Sequence, residues 1–177
     1  MNSIAQNENS FQLSFGLQWN LPERYFNNNL SKFNGQNSGI GVHLYPKWHY
    51  NENLTFGVNL EYASVQEEAT TNSIGTFDIF SLSPTVNYYL TKTKVRPYLG
   101  FGVGLYTVSR ADKTLSVGVR PLIGVSVNNR FDLSFEYSRI LGDLNIDPNV
   151  SQGFGNYYLS LKGSYSIPIL ERKKNKS

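Results

Sequence analysis

Arg96–Val108 reads RPYLGFGVGLYTV. As an extended segment it sends Pro97, Leu99, Phe101, Val103 and Leu105 to one face and Tyr98, Gly100, Gly102, Gly104 and Tyr106 to the other. Period-two alternation is the signature of a strand, but successive glycines on one face weaken a strand and need a reason. A strand whose second face lines the narrow inside of a closed barrel supplies one, because bare positions there leave room for large side chains from facing strands.

The same alternation repeats on both sides of this stretch. Downstream, Val117, Val119, Pro121, Ile123, Val125 and Val127 oppose Gly118, Arg120, Leu122, Gly124 and Ser126. After the hairpin pair Asn128-Asn129, Phe131, Leu133, Phe135 and Tyr137 oppose Asp132, Ser134, Glu136 and Ser138. Tyr157–Ile167 makes a last strand, with Lys162 among its polar positions. Upstream, Phe11–Trp19, Ile40–Tyr50, Phe56–Ala63 and Phe80–Leu90 alternate in the same way. Pro84 and Pro121 fall inside strands, where each removes a ladder donor; bulges or local irregularity are expected there.

Eight strands result, and their connections run long, short, long, short, moderate, short, long. All the short turns therefore fall at one end, as in an up-and-down barrel that crosses an outer membrane with tight periplasmic turns and extended outer loops. The expected fold is all-β, an eight-stranded antiparallel up-and-down transmembrane β-barrel over residues 11–169. Residues 1–10 read as a disordered polar leader, with Ser3-Ile4-Ala5-Gln6 as the alternative stub of a small-residue cleavage site. Residues 170–177 read as a basic periplasmic tail carrying Arg172, Lys173, Lys174 and Lys176. Threading the strand directions gathers Trp19, Tyr62, Tyr137 and Tyr157 at the loop end of the apolar faces, and Trp48, Tyr50, Tyr88, Phe131 and Tyr165 at the turn end. Two aromatic girdles are expected, where amphipathic rings prefer to sit.

Composition agrees. Charged residues make up 16% of the 177 residues and aromatics 14%, against roughly 25% charged in an ordinary soluble protein. The apolar runs are only a few residues long, far short of the about 20 that a transmembrane helix needs. The absence of cysteine excludes disulfides and thiolate sites. A net charge of +3, concentrated in the tail, points to a solvated terminus and to no nucleic-acid partner.

Period two leaves open whether the apolar faces turn outward to lipid or inward, as in a soluble lipocalin-like barrel. The polar faces favour lipid: they carry Gly, Ser, Asn and Tyr where a water-facing surface would be rich in Lys and Glu. The few charges, Glu61, Arg120, Glu136 and Lys162 with His43, are then enclosed and must pair to offset desolvation. The opposite phase would set Arg120 and Lys162 against lipid at about 2–4 kcal/mol each near the midplane.

RPYLGFGVGLY (96–106), SVGVRPLIGV (116–125) and DLSFEYS (132–138) resemble recurrent strands of the outer-membrane β-barrel domain family, the small eight-stranded OmpA-type and OmpX-type barrels. The resemblance spans Phe11 to Ile167 and implies an integral outer-membrane protein of a Gram-negative bacterium. Outer-membrane lipid and lipopolysaccharide are its implied surroundings. Members of the family commonly finish on an aromatic residue, whereas this chain passes from Tyr165 through Pro168-Ile169-Leu170 into Glu171–Ser177. Fold does not fix function.

The lumen set His43, Glu61, Arg120, Glu136 and Lys162 reads as a salt-bridged plug in preference to an ion path or gate, because eight strands leave no open channel. His43 and His49, the only histidines, have no Asp, Glu or Cys pair at ligand spacing, so no metal or other cofactor is expected. Neither has a serine partner in a recognisable motif, and no catalysis is expected. Gly100, Gly102 and Gly104 lie within a strand and are no phosphate loop. An extracellular partner would meet the long loops, with Tyr25, Phe26 and Phe154 as contact candidates; their plain alternative is packing among the loops or at the headgroup level. The expected role is structural or surface-interacting, as a monomer. A small porin-like transport barrel for ions or apolar solutes is the second reading, and a lipid-modifying enzyme the third.

Overall fold

A computed structural model of the chain describes residues 10–22, 38–68, 74–109, 113–143 and 157–170. The alternating stretches form β1 (Ser10–Pro22), β2 (Gly39–His49), β3 (Leu54–Glu68), β4 (Ile74–Tyr89), β5 (Val95–Ser109), β6 (Lys113–Val127), β7 (Phe131–Asp143) and β8 (Tyr157–Leu170). Each pairs antiparallel with its neighbours in sequence, and β1 pairs with β8 to close the barrel. Closure leaves no sheet edge to aggregate. The leader before Ser10 and the tail beyond Leu170 lie outside the described residues.

Paired residues can be followed once round the wall. From Val125 the partners run through Leu133, Gly163, Leu17, Val42, Tyr62, Phe80 and Thr107, returning to β6 at Leu115, ten residues from the start. A shear of that size on eight strands tilts them about 40° from the barrel axis. Each row of paired residues therefore climbs as it crosses the wall.

Phase follows the alternation through the central part of every strand. Leu17, Val42, Leu99, Phe101, Val103, Ile123 and Leu133 are exposed on the outside, while Ser14, Gln18, Asn59, Ser81, Ser83, Asn87 and Ser160 are buried inside. The barrel is thus inverted relative to a soluble one. The bare glycines make room for rings: a Cβ on Gly104 or Gly118 would press on Tyr106, and one on Gly124 would meet Tyr98.

Pro84 and Pro121 do not bulge their strands. Pro84 keeps its partner Val58 on β3 and interrupts only the ladder to β5; Pro121 keeps Phe101 on β5 and interrupts only the ladder to β7. A residue in an antiparallel sheet directs its N–H to one neighbour only, so a proline deletes a bond on one side and the register survives. The register shifts lie between Phe11 and Gln12 against β8, where Gln12 pairs with Pro168 and Phe11 with Leu170, and between Val117 and Gly118 against β7.

The three short turns close one end. Asn128 and Asn129 take φ of 53° and 56°, as a two-residue type I′ hairpin requires. Asn51 Oδ1 accepts from the backbone N–H groups of Asn53 and Leu54, both at 2.8 Å, an Asx-type turn. Arg96 ties the turns together across the barrel mouth. Its guanidinium donates to Thr91 O at 3.2 Å, to Asn129 Oδ1 at 2.9 Å and to Glu52 O, and it stacks 4.1 Å from the Tyr89 ring centre.

At the loop end the alternation reverses. On β3, β4 and β5 the inward positions become Ala63, Val65, Ile79 and Val108, all buried, while Ser64, Asp78 and Thr107 take the outward ones. Val65, Ile79 and Val108 pack with Tyr106 and Tyr158 into an apolar cluster across the lumen.

Candidate functional site

The buried charges in the middle of the lumen are the most chemically unusual feature of the described residues. Glu61 on β3, Arg120 on β6, Glu136 on β7 and Lys162 on β8 all fall on the inward phase, and the curvature of the wall points them at one another. Arg120 Nη1 pairs with Glu61 Oε1, and its Nε lies 3.5 Å from Glu136 Oε2. Lys162 Nζ pairs with Glu61 Oε1 and, at 2.6 Å, with Glu136 Oε2. Two cations thus share two carboxylates. Ser81 completes the arrangement, accepting from Arg120 Nη2 at 3.1 Å and donating to Glu61 Oε2 at 3.2 Å.

Arg120 has no measurable exposure and Glu61, Glu136 and Lys162 are each about 3% exposed. Charges this deep are tolerable only when each has an opposite partner, since removing one member of a buried pair leaves an uncompensated charge. His43 stands opposite Glu61 in the β2–β3 register and is buried, with its Nδ1 making no hydrogen bond.

A second ion pair lies nearer the turns. Lys47 Nζ donates to Asp132 Oδ2 at 2.9 Å, and Ser166 Oγ donates to the same oxygen at 3.0 Å. Lys47, Asp132 and Arg96 are absent from the lumen set expected from sequence, although all three occupy inward phases. Phase alone was a sufficient signal for burial. Their partners were not legible, because Lys47 and Asp132 are 85 residues apart and meet only through the shear of the barrel.

The lumen is closed above and below this charged middle. The apolar cluster around Tyr106 and Tyr158 occupies the loop end; Tyr89, Tyr98 and Leu122 pack together at the turn end, beneath the Arg96 stack. Between the two groups of charges a void of about 30 Å³ is lined by Asn59, Asn87 and His43 among others, room for about one water. Among the described residues no group of three or more His, Asp or Glu is placed to hold a metal ion. His49 Nδ1 lies 2.7 Å from Thr55 Oγ1.

Trp19, Tyr62, Tyr137 and Tyr157 lie on outward phases towards the loop end, with Tyr137 and Tyr157 in ring contact at 5.5 Å. Trp48, Tyr50, Tyr88, Phe131 and Tyr165 lie on outward phases towards the turns; Phe131 and Tyr165 are 5.0 Å apart and Trp48 and Tyr50 5.8 Å. Tyr25, Phe26 and Phe154 fall outside the described residues.

No protein-family model matches the chain, and none of the curated proteins compared with it is significantly similar in sequence. Solved structures are similar in fold. Neisserial surface protein A superposes with a TM-score of 0.57 at 17% identity, covering 89% of this chain and 94% of its own. The outer membrane protein OprG from Pseudomonas aeruginosa gives 0.56 at 11% identity over 92% of this chain and 98% of its own. The outer membrane enzyme PagL gives 0.56 at 14% identity, over 88% and 99%. The chain has the fold of the small eight-stranded outer-membrane barrels.

Proposed function

We propose that this chain is an integral outer-membrane barrel of a Gram-negative bacterium, with a structural or surface-interaction role, a lumen plugged by side chains and no catalysis. The observation that carries the reading is the inverted wall: an apolar outside around a sealed, charged inside. Exposed Leu17, Val42, Leu99, Phe101, Val103, Ile123 and Leu133 form a continuous apolar surface far larger than a soluble monomer shows, and hydrocarbon is the solvent such a surface fits. The two sets of outward aromatic rings bound this band as girdles. Above it the outside turns polar at Ser64, Asp78, Thr107 and Arg139, as a wall emerging into headgroups and water would.

The plug reading follows from Glu61, Arg120, Glu136 and Lys162 in mutual contact and from the packed clusters at both ends. An ion would have to displace buried, paired charges to pass. Binding, where it occurs, belongs to the outer surface and the long connections at the loop end, with Tyr25, Phe26 and Phe154 the aromatic residues to substitute first. The exposure of Arg139 beside Tyr157 on an outward phase supports a contact between its guanidinium and lipopolysaccharide phosphate.

Gel mobility with and without boiling, combined with planar-bilayer conductance of the folded protein, tests the proposal. A heat-modifiable species without conductance is expected. Discrete conductance would replace the plug by a transport barrel for ions or small solutes, release of acyl chains from lipid substrates would replace it by an enzyme, and solubility without detergent would overturn the membrane assignment.

A further inference from the structure

One side of the outer wall is dented. The row Val125, Leu133, Gly163, Leu17 and Val42 crosses five strands, and its middle position has no side chain: a Cβ on Gly163 would meet nothing within 4 Å. On the turn side it is bounded by a ridge of rings, with Tyr165 5.0 Å from Phe131 and 6.0 Å from Phe15. On the loop side the next outward row carries Phe135, Leu161 and Trp19. The result is an apolar groove of about 900 Å³.

Its course is set by the shear. Four strand intervals of about 4.8 Å make about 19 Å of groove, and a tilt of about 40° lifts it by about 12 Å from β6 to β2. That rise is half of an apolar band about 25 Å tall. The low end lies at Val125 and Val127, next to the β6–β7 turn, and the high end at Leu17, in the middle of β1, and at Val42, the fourth residue of β2. At the foot stand two exposed cations, Arg130 in the turn and Lys94, whose carbonyl accepts from Asn128 N at 2.7 Å.

We propose that this groove holds one acyl chain of an anionic phospholipid from the turn-side leaflet, its phosphate at Arg130 and Lys94 and its chain over Gly163 towards the bilayer centre. The inference rests on the membrane reading above. A cationic foot suits a phosphate at the interface, a half-bilayer rise suits a chain of one leaflet, and a glycine floor between bulky rows suits an unbranched apolar chain better than a protein surface.

The test uses the full chain folded into phosphatidylethanolamine vesicles containing phosphatidylglycerol, then extracted in mild detergent for native mass spectrometry. One phosphatidylglycerol retained per barrel is expected, lost in Gly163→Leu, which fills the floor, and in Val125→Phe as a second filler should the first not fold. The double change Lys94→Gln and Arg130→Gln should weaken retention by about fivefold or more, and Leu99→Trp on the opposite wall should leave it unchanged. Equal retention in wild type and filled variants, or none in wild type that is inserted and heat-modifiable, would overturn the groove proposal alone. Failure to insert would instead overturn the membrane reading, and a dimer abolished by Gly163→Leu would make the groove a contact between copies.

Discussion

The middle of the barrel and its loop end are built from the same strands with opposite rules. In the middle, Leu82, Phe101 and Leu105 face out and Ser83, Asn87 and Arg120 face in; at the loop end, Asp78 and Thr107 face out and Val65, Ile79 and Val108 face in. The backbone is continuous through the change, with β3 and β4 paired without a register shift from Leu54 to Glu68. Polarity in a barrel wall therefore reports the solvent outside it. On the membrane reading, hydrocarbon surrounds the middle and water the loop end, so the polar plug and the apolar plug each take the side chains that the exterior there rejects.

The largest expected effect lies in the polar middle. Glu61→Ala leaves Arg120 and Lys162 with one carboxylate between them and should destabilise the folded barrel by about 3–5 kcal/mol, read as a lower denaturant midpoint in vesicles or as loss of the heat-modifiable band. A change below about 1 kcal/mol would mean that water reaches the charges and that the lumen is not sealed. Next come matched outward substitutions. Leu17→Arg in the band should cost about 2–4 kcal/mol, whereas Thr107→Arg at the loop end should cost about 0–1 kcal/mol. Equal costs would erase the distinction between the two zones.

Arg96→Ala tests the turn end. It removes the group that bonds three turns at once, and about 2 kcal/mol should be lost, with faster amide exchange confined to residues 50–53, 91–94 and 128–130. The smallest expected effect belongs to the apolar loop-end plug: Val65→Ala should cost about 1–2 kcal/mol, while Val103→Ala on the lipid face, where lipid fills the space vacated, should cost less. A reversal of that order would place the tightly packed face outside.

The eight strands, their phase and the end bearing the tight turns were all legible in the chain, because alternation with period two is a local property and the short turns carry their own chemistry in Asn51 and Asn128-Asn129. The enclosed Glu61, Arg120, Glu136 and Lys162 were legible for the same reason. Strand ends were not. At Tyr62-Ala63-Ser64-Val65 and Tyr106-Thr107-Val108 the alternation slips phase, which reads as the end of a strand when it is the same strand passing into a different exterior. Of the bulges or local irregularity expected at Pro84 and Pro121, the irregularity is present as a gap in one ladder at each and the bulges are not, since a proline's cost depends on which neighbour its missing N–H would have faced.

The sequence by itself determined which residues can form strands and which face of each is apolar, since both depend on positions one or two residues apart. Only the tertiary structure decided which inward residues meet: Lys47 with Asp132, Arg96 with three turns, and four charges from four strands in one cluster. Those contacts are set by the shear and the closure of β1 on β8, quantities of the whole wall that no local stretch of chain contains.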